Sequence, residues 1–158
     1  MCSFQQDADA LKRLPLVRNY VEDQHALLVH PDCDRNRRYF SAVELFEPGS
    51  AVLTDKGCQR LDELAPWLTN LKHKGSEVVV VAYADPEQVG SSVARILTKQ
   101  QSEVVCTYLK GHHAVQKMGW FRSRKVTALG LGTMPPPLPE GERLPPSRVE
   151  VLIFVPRT

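Results

Sequence analysis

E-V-V-V-V-A-Y-A-D-P, residues 77–86, is a β-branched run that stops at a proline. Four consecutive valines leave no polar face, so the run reads as a central strand covered on both sides. Pro86 biases Asp85 away from helical angles and ends the strand. A single carboxylate, Asp85, is thereby expected at the rim of a sheet. On the N-terminal side, Leu61, Leu64, Leu68 and Leu71 recur at spacings of three and four, which predicts a helix over about 55–72. Thr54 is placed to cap it and Asp55 suits the positive end of its dipole. Pro66 falls inside it and is expected to kink it. On the C-terminal side a second helix is expected over about 90–111, with Val93, Ile96, Leu97, Val104, Val105, Tyr108 and Leu109 on one face. Gln100 and Gln101 interrupt that stripe, and a polar gap of this kind marks either a satisfied core group or a pocket wall.

Further strands complete the sheet. Residues 39–46 alternate loosely and are expected to form the first strand, broken by Pro48-Gly49. Residues 126–131 form another, closed by Gly130 and Gly132. Residues 133–147 carry six prolines and read as an extended loop. From Arg148 to Val155 the chain alternates strongly, with Val149, Val151, Ile153 and Val155 on one face. The expected class is α+β in the order βαβαββ. Residues 1–38, with few periodic apolar positions, form a tether, and 39–158 the domain.

Composition excludes several classes of function. The 158 residues are 42% hydrophobic and 24% charged, enough for one core plus a tail. A net charge of +2 is too small to argue for either nucleic acid or an anionic membrane surface as a partner, and no nucleic acid is expected. No apolar run approaches the roughly 20 residues that a membrane span needs. Cys33, Cys58 and Cys106 match no zinc spacing; Cys58 and Cys106 are either buried thiols or, if their helices touch, a disulfide. His25, His30, His73, His112 and His113 share no metal-ligand spacing, so no metal and no cofactor are expected. Ser91-Ser92 lacks a nucleophile-elbow context, and Gly130-x-Gly132 opens no helix, so no catalytic residue is named and the chain is not expected to be an enzyme. Trp67 and Trp120 read as packing residues, with Trp120-Phe121 beside Arg122, Arg124 and Lys125 as an alternative partner-contact patch.

The words F-E-P-G-S-A-V-L-T-D-K-G (46–57), L-D-E-L-A-P-W-L-T-N-L (61–71), V-V-V-V-A-Y-A-D (78–85), L-T-K-Q-Q-S-E-V-V-C-T-Y-L (97–109), V-T-A-L-G-L-G-T-M-P (126–135) and R-V-E-V (148–151) occur in an order that resembles the OmpA-like C-terminal domain. The resemblance covers about three quarters of the chain. It implies a βαβαββ sandwich with two main helices on one face of a mixed four-stranded sheet. It also implies recognition without catalysis, of the diaminopimelate in the peptidoglycan stem peptide. The family's aspartate falls on Asp85, its last arginine on Arg148, and an asparagine on Ala94; read by themselves, Asp85 is equally a turn-former before proline and Arg148 a strand-end salt-bridge residue rather than a ligand contact. Its helix arginine falls on Gln101. A neutral amide replaces a charged fork there, so half of the clamp on a zwitterion is missing and affinity is expected to be weak or altered. Arg95, Lys99 and Arg148 are the candidate replacement charges. Arg95 lies about 9 Å along the helix axis from Gln101, too far to take its place.

The resemblance further implies a periplasmic, outer-membrane-associated protein. Cys2 is either an incidental cysteine or the lipidated residue of a mature lipoprotein, which would add the outer membrane as a partner through a lipid anchor. The alternative to cell-wall binding is a structural subunit of an envelope machine, such as a type IVB-like secretion system, that binds protein neighbours.

Overall fold

The structure, a computed structural model, describes residues 37–70, 76–133 and 144–154. Its elements are β1 (Arg37–Ser41), α1 (Asp55–Asn70), β2 (Glu77–Tyr83), α2 (Ser91–His113), β3 (Val126–Gly130) and β4 (Arg148–Phe154). The four strands lie in the order β1-β4-β2-β3. β2 and β3 are parallel, whereas β4 runs antiparallel to both β1 and β2, so the sheet is mixed. The fold is α+β, as expected. The tether residues 1–36, Leu71, the middle of the proline-rich loop and Val155 lie outside the described residues.

Strand alternation sorts the sheet into two faces. On one face Val78, Val80 and Ala82 of β2, Val149, Val151 and Ile153 of β4, and Phe40 of β1 meet Leu61, Leu64 and Leu68 of α1 and Val105 and Leu109 of α2 in one apolar cluster. Both helices therefore cover the same face. The valine run is buried along its whole length, which suits a strand with neighbours on both edges and both faces. The opposite face is polar in part. It carries Arg37, Arg148, Glu150 and Glu77 among its buried residues.

Two expectations change. The first strand ends at Ser41 rather than running to Phe46. Ala42 donates to the Ser147 carbonyl (3.0 Å), and Phe46 donates back to the Ala42 carbonyl (2.9 Å), so residues 42–45 close a single helical turn. Phe46 then pairs with Leu53 across a tight loop in which Gly49 has φ of 67°. The loose alternation of Val43, Leu45 and Phe46 was too short to separate these outcomes. The second change is the buried stripe of α2. It runs Ala94, Thr98, Gln101, Ser102, Val105, Cys106 and Leu109, and leaves Val93 and Ile96 each 59% exposed. In its N-terminal half the helix turns small residues inward because it lies almost on the backbone of β3. A Cβ at Gly130 would overlap the Thr98–Lys99 backbone, and the Gly132 amide donates to the Thr98 hydroxyl at 3.0 Å.

α1 starts as the sequence predicts. The Thr54 hydroxyl accepts from the Gly57 amide (2.9 Å), and the helix continues past Pro66 to Asn70. Gly57 faces the backbone of Leu45, where any Cβ would overlap main-chain atoms that cannot swing away. Helix propensity favours alanine over glycine by about 1 kcal/mol. Overpacking against backbone costs about 1–3 kcal/mol and acts in the opposite direction. Gly57→Ala is expected to lower the unfolding free energy, read as a reduced urea midpoint with unchanged slope; a stabilised variant would contradict this packing.

Candidate functional site

β2 delivers Asp85 to the sheet rim and the following turn holds it there. The Asp85 carbonyl accepts from Gln88 and Val89 (both 3.1 Å), and its Oδ1 accepts from the Glu87 amide (3.0 Å). Its own amide donates to the Ser147 hydroxyl (2.8 Å), which ties the turn to the start of β4. The Ala84 amide donates to the Gly132 carbonyl (2.8 Å) and the Leu131 amide to the Ala82 carbonyl (2.9 Å), so the ends of β2 and β3 stay paired up to this rim.

Beside this turn lies a cleft of about 90 Å³. Its walls come from the 42–49 segment (Val43, Phe46, Glu47), the end of β2 (Tyr83, Ala84), the turn (Gln88, Val89), α2 (Leu97, Gln101) and Ser147. Asp85 borders the cleft through its neighbours Ala84 and Gln88 and its bond to Ser147, and Gln101 lines it directly. Gln101 is nearly buried, and its Nε2 donates to the Ser50 carbonyl (3.0 Å), so the amide pins the 46–53 loop to α2. Among the described residues the lining carries one acid, Glu47, and neither lysine nor arginine. Enclosed small-molecule pockets commonly run to roughly 300–1,000 Å³. This cleft is smaller, and suits the end of an extended side chain rather than a whole ligand.

Arg148 is placed elsewhere. It is buried on the sheet face away from the helices, with its guanidinium 4.5 Å above the Tyr83 ring. Its Nη1 donates to the Pro145 carbonyl (3.1 Å) and its Nε lies 3.3 Å from Glu150 Oε2. Arg37 pairs with the other oxygen of the same carboxylate. A fully buried Glu150 thus sits between two arginines. Of the three residues expected to contact a ligand, Gln101 lines the cleft; Asp85 and Arg148 do not line it, although each follows a lining residue, Ala84 and Ser147, in the chain. Of the other candidate charges, Lys99 is exposed on α2 and Arg95 is half-buried; neither lines the cleft. Cys2 lies outside the described residues. Glu47, Ser147, Val43 and Phe46 were not singled out from the sequence as cleft residues. Glu47 stands within the F-E-P-G word, but nothing local to that word says that its loop folds back against α2.

A second polar cluster joins the helices. Asp62 of α1 accepts from the Tyr108 hydroxyl and pairs with His113 Nε2, both at 2.7 Å. These two hydrogen bonds hold the Asp62 carboxyl below its usual range, and the bond to Asp62 raises the Tyr108 phenol. Cys58 and Cys106 are free thiols. Among the described residues no group of three or more His, Cys, Asp or Glu side chains is placed to hold a metal ion, and no helix is long and apolar enough to cross a membrane.

No family model matches the sequence, and no curated protein does. Solved structures do match. A putative MotB-like protein from Desulfovibrio vulgaris superposes with a TM-score of 0.57 at 16% identity, over 96% of this chain and 99% of that one. The periplasmic domain of Helicobacter pylori MotB gives 0.54 at 16%, over 75% and 81%. The cell wall anchor of the T6SS from Pseudomonas aeruginosa gives 0.53 at 19%, over 89% and 97%. The chain has the OmpA-like fold. At these identities the likeness is one of architecture. Within the OmpA-like frame the cleft occupies the rim at the carboxyl end of β2, between the turn after that strand and α2.

Two outcomes follow from this geometry. Removing the fully buried carboxylate in Glu150→Ala takes away the ion pair that Arg148 and Arg37 share, and breaking a buried pair in this way is expected to cost about 3–5 kcal/mol in denaturant unfolding. Burial pushes the Cys106 thiol up to about 12, so at pH 8 it stays almost wholly protonated. Iodoacetamide at that pH is expected to spare Cys106 in the folded chain and modify it in urea, as read by peptide mass mapping.

Proposed function

We propose that this chain is a non-catalytic envelope module that holds an outer-membrane-associated protein to peptidoglycan, with altered recognition of the diaminopimelate centre. The observation that carries this is the charge of the cleft. Glu47 lines it, Asp85 directly follows the lining residue Ala84, Gln101 occupies its helix wall, and among the described residues no cation lines it. Such a site favours the ammonium end of a zwitterion and offers its carboxylate only neutral donors. A hydrogen bond to a charged group contributes about 1.5–3 kcal/mol, so the missing guanidinium corresponds to roughly one to two orders of magnitude in affinity. The likeness to the T6SS cell wall anchor supports an anchoring role, and the likeness to the periplasmic domain of MotB supports a place in the periplasm. In this reading the protein is periplasmic, and Cys2 is the residue that would carry a lipid anchor.

A second reading is favoured by one specific observation. Val43 is 79% exposed and lines the cleft, and Val93 and Ile96 are exposed on the N-terminal half of α2, which supplies one of its walls. An apolar border around a narrow cleft suits a protein segment, as a structural subunit of a type IVB-like secretion assembly would meet.

Co-sedimentation with purified sacculi separates the two. Asp85→Asn keeps an oxygen for the Glu87 amide while removing the charge, so the turn survives. The first reading expects weak, salt-sensitive binding by the wild-type chain, loss in Asp85→Asn, and a gain of about tenfold to a hundredfold in Gln101→Arg. Tight wild-type binding indifferent to Asp85→Asn overturns it. Absence of sacculus binding together with co-purification of envelope proteins, lost in Val93→Asp/Ile96→Asp, establishes the second.

A further inference from the structure

Between α2 and β3 the chain makes a short hairpin that the cleft does not use. Lys117 pairs with Ser123, and the Met118 amide donates to the Arg122 carbonyl (2.8 Å), with Gly119 at φ of 113° between them. At its tip Trp120 and Phe121 are each 98% exposed, side by side. Its base is firmly held. The Arg124 amide donates to Gln116 (2.8 Å), and its buried guanidinium donates to the Val115 carbonyl (2.8 Å) and to the Leu68 carbonyl near the end of α1. Arg124, expected as part of a surface patch, is thus an internal brace. Lys117, Arg122 and Lys125 remain exposed around the aromatic pair. No aspartate or glutamate occurs anywhere from residue 104 to 139.

We propose that this hairpin is a docking tip for an anionic lipid surface. Two adjacent, fully presented aromatic side chains on a convex turn need an environment that can close around them. A bilayer interface does this without a matching cavity, and aromatic rings, tryptophan above all, partition to the headgroup boundary. Three exposed cations, in a stretch of chain that contains no aspartate or glutamate, supply the complementary charge for anionic headgroups. The brace by Arg124 presents the tip already ordered, so little conformational freedom is lost on insertion. The hairpin adjoins the N-terminal end of β2, where the Val78 amide donates to the Lys125 carbonyl (2.9 Å), whereas the cleft lies at the C-terminal end. The seven residues of that strand separate them by roughly 20 Å. A chain docked by its tip therefore turns its cleft away from the bilayer. That orientation rests on the reading of the cleft above; lipid docking does not.

Vesicle flotation of the full, unlipidated chain tests it. Vesicles of phosphatidylglycerol with phosphatidylcholine are expected to carry the wild-type protein at low salt, with a blue shift of tryptophan emission, and pure phosphatidylcholine to carry little. Trp120→Ala/Phe121→Ala, which removes only exposed side chains, is expected to weaken binding on the order of tenfold or more at unchanged Tm. Lys117→Glu/Arg122→Glu is expected to abolish the preference for anionic lipid. A wild-type chain that stays unbound, or an aromatic double variant that floats equally well, overturns the proposal. So does tip-dependent association with a second copy of the chain, or with an acidic protein, in the absence of vesicle binding. Sacculus binding by the same aromatic variant reports on the cleft separately, so failure at one pole is distinguishable from failure at the other.

Discussion

The close seating of α2 on β3 is the constraint on which most of the molecule depends. With no side chain at Gly130, the Thr98–Lys99 backbone reaches the strand, and Thr98 bonds to Gly132 just beyond it. That contact sets the rotation of the helix. It turns Ala94, Thr98, Gln101 and Ser102 inward and Val93 and Ile96 outward. Gln101 then meets the 46–53 loop through Ser50, and the wall of the cleft is complete. A larger residue at position 130 would lift the helix and open the cleft from behind. Dense packing makes such an adjustment costly rather than gradual.

The two sheet faces are held by different forces. The helix side is apolar and gains its stability from area removed from water. The far side contains an Arg37–Glu150–Arg148 arrangement with Tyr83 stacked beneath Arg148. Buried ion pairs contribute little net stability relative to apolar residues of the same shape, yet they are intolerant of losing one member. Of these pairs only Arg37–Glu150 joins the edge strand β1 to β4, whose backbone pairing runs from Arg37 opposite Leu152 to Ser41 opposite Arg148. Asp85 and Arg148, which the family resemblance joins as ligand contacts, are therefore in different surroundings. One stands at the rim beside the cleft and the other braces the sheet from behind.

The structure also has two poles with distinct chemistry. At one, a small acidic-edged cleft lies where β2 ends. At the other, a braced hairpin presents an aromatic pair among cations. β2, buried throughout, is the rigid connection between them.

Much of the architecture was legible in the chain itself. The valine run, the leucine spacing of 61, 64 and 68, the Thr54 cap and the alternation from Val149 to Ile153 each report a local preference that agrees with the final fold, so element types and their order follow from periodicity alone. The extent of the first strand was not legible, because residues 39–46 are too few for period 2 to be told from one helical turn. The facing of α2 was not legible either, because a glycine thirty residues away determines how near the helix can come and hence which side it buries. Asp85 at a rim was apparent from A-D-P. That Gln101 is tied to Ser50, that Glu47 joins the same cleft and that Arg124 points inward while Arg122 points out are relations between segments distant in sequence, and only the tertiary packing could settle them.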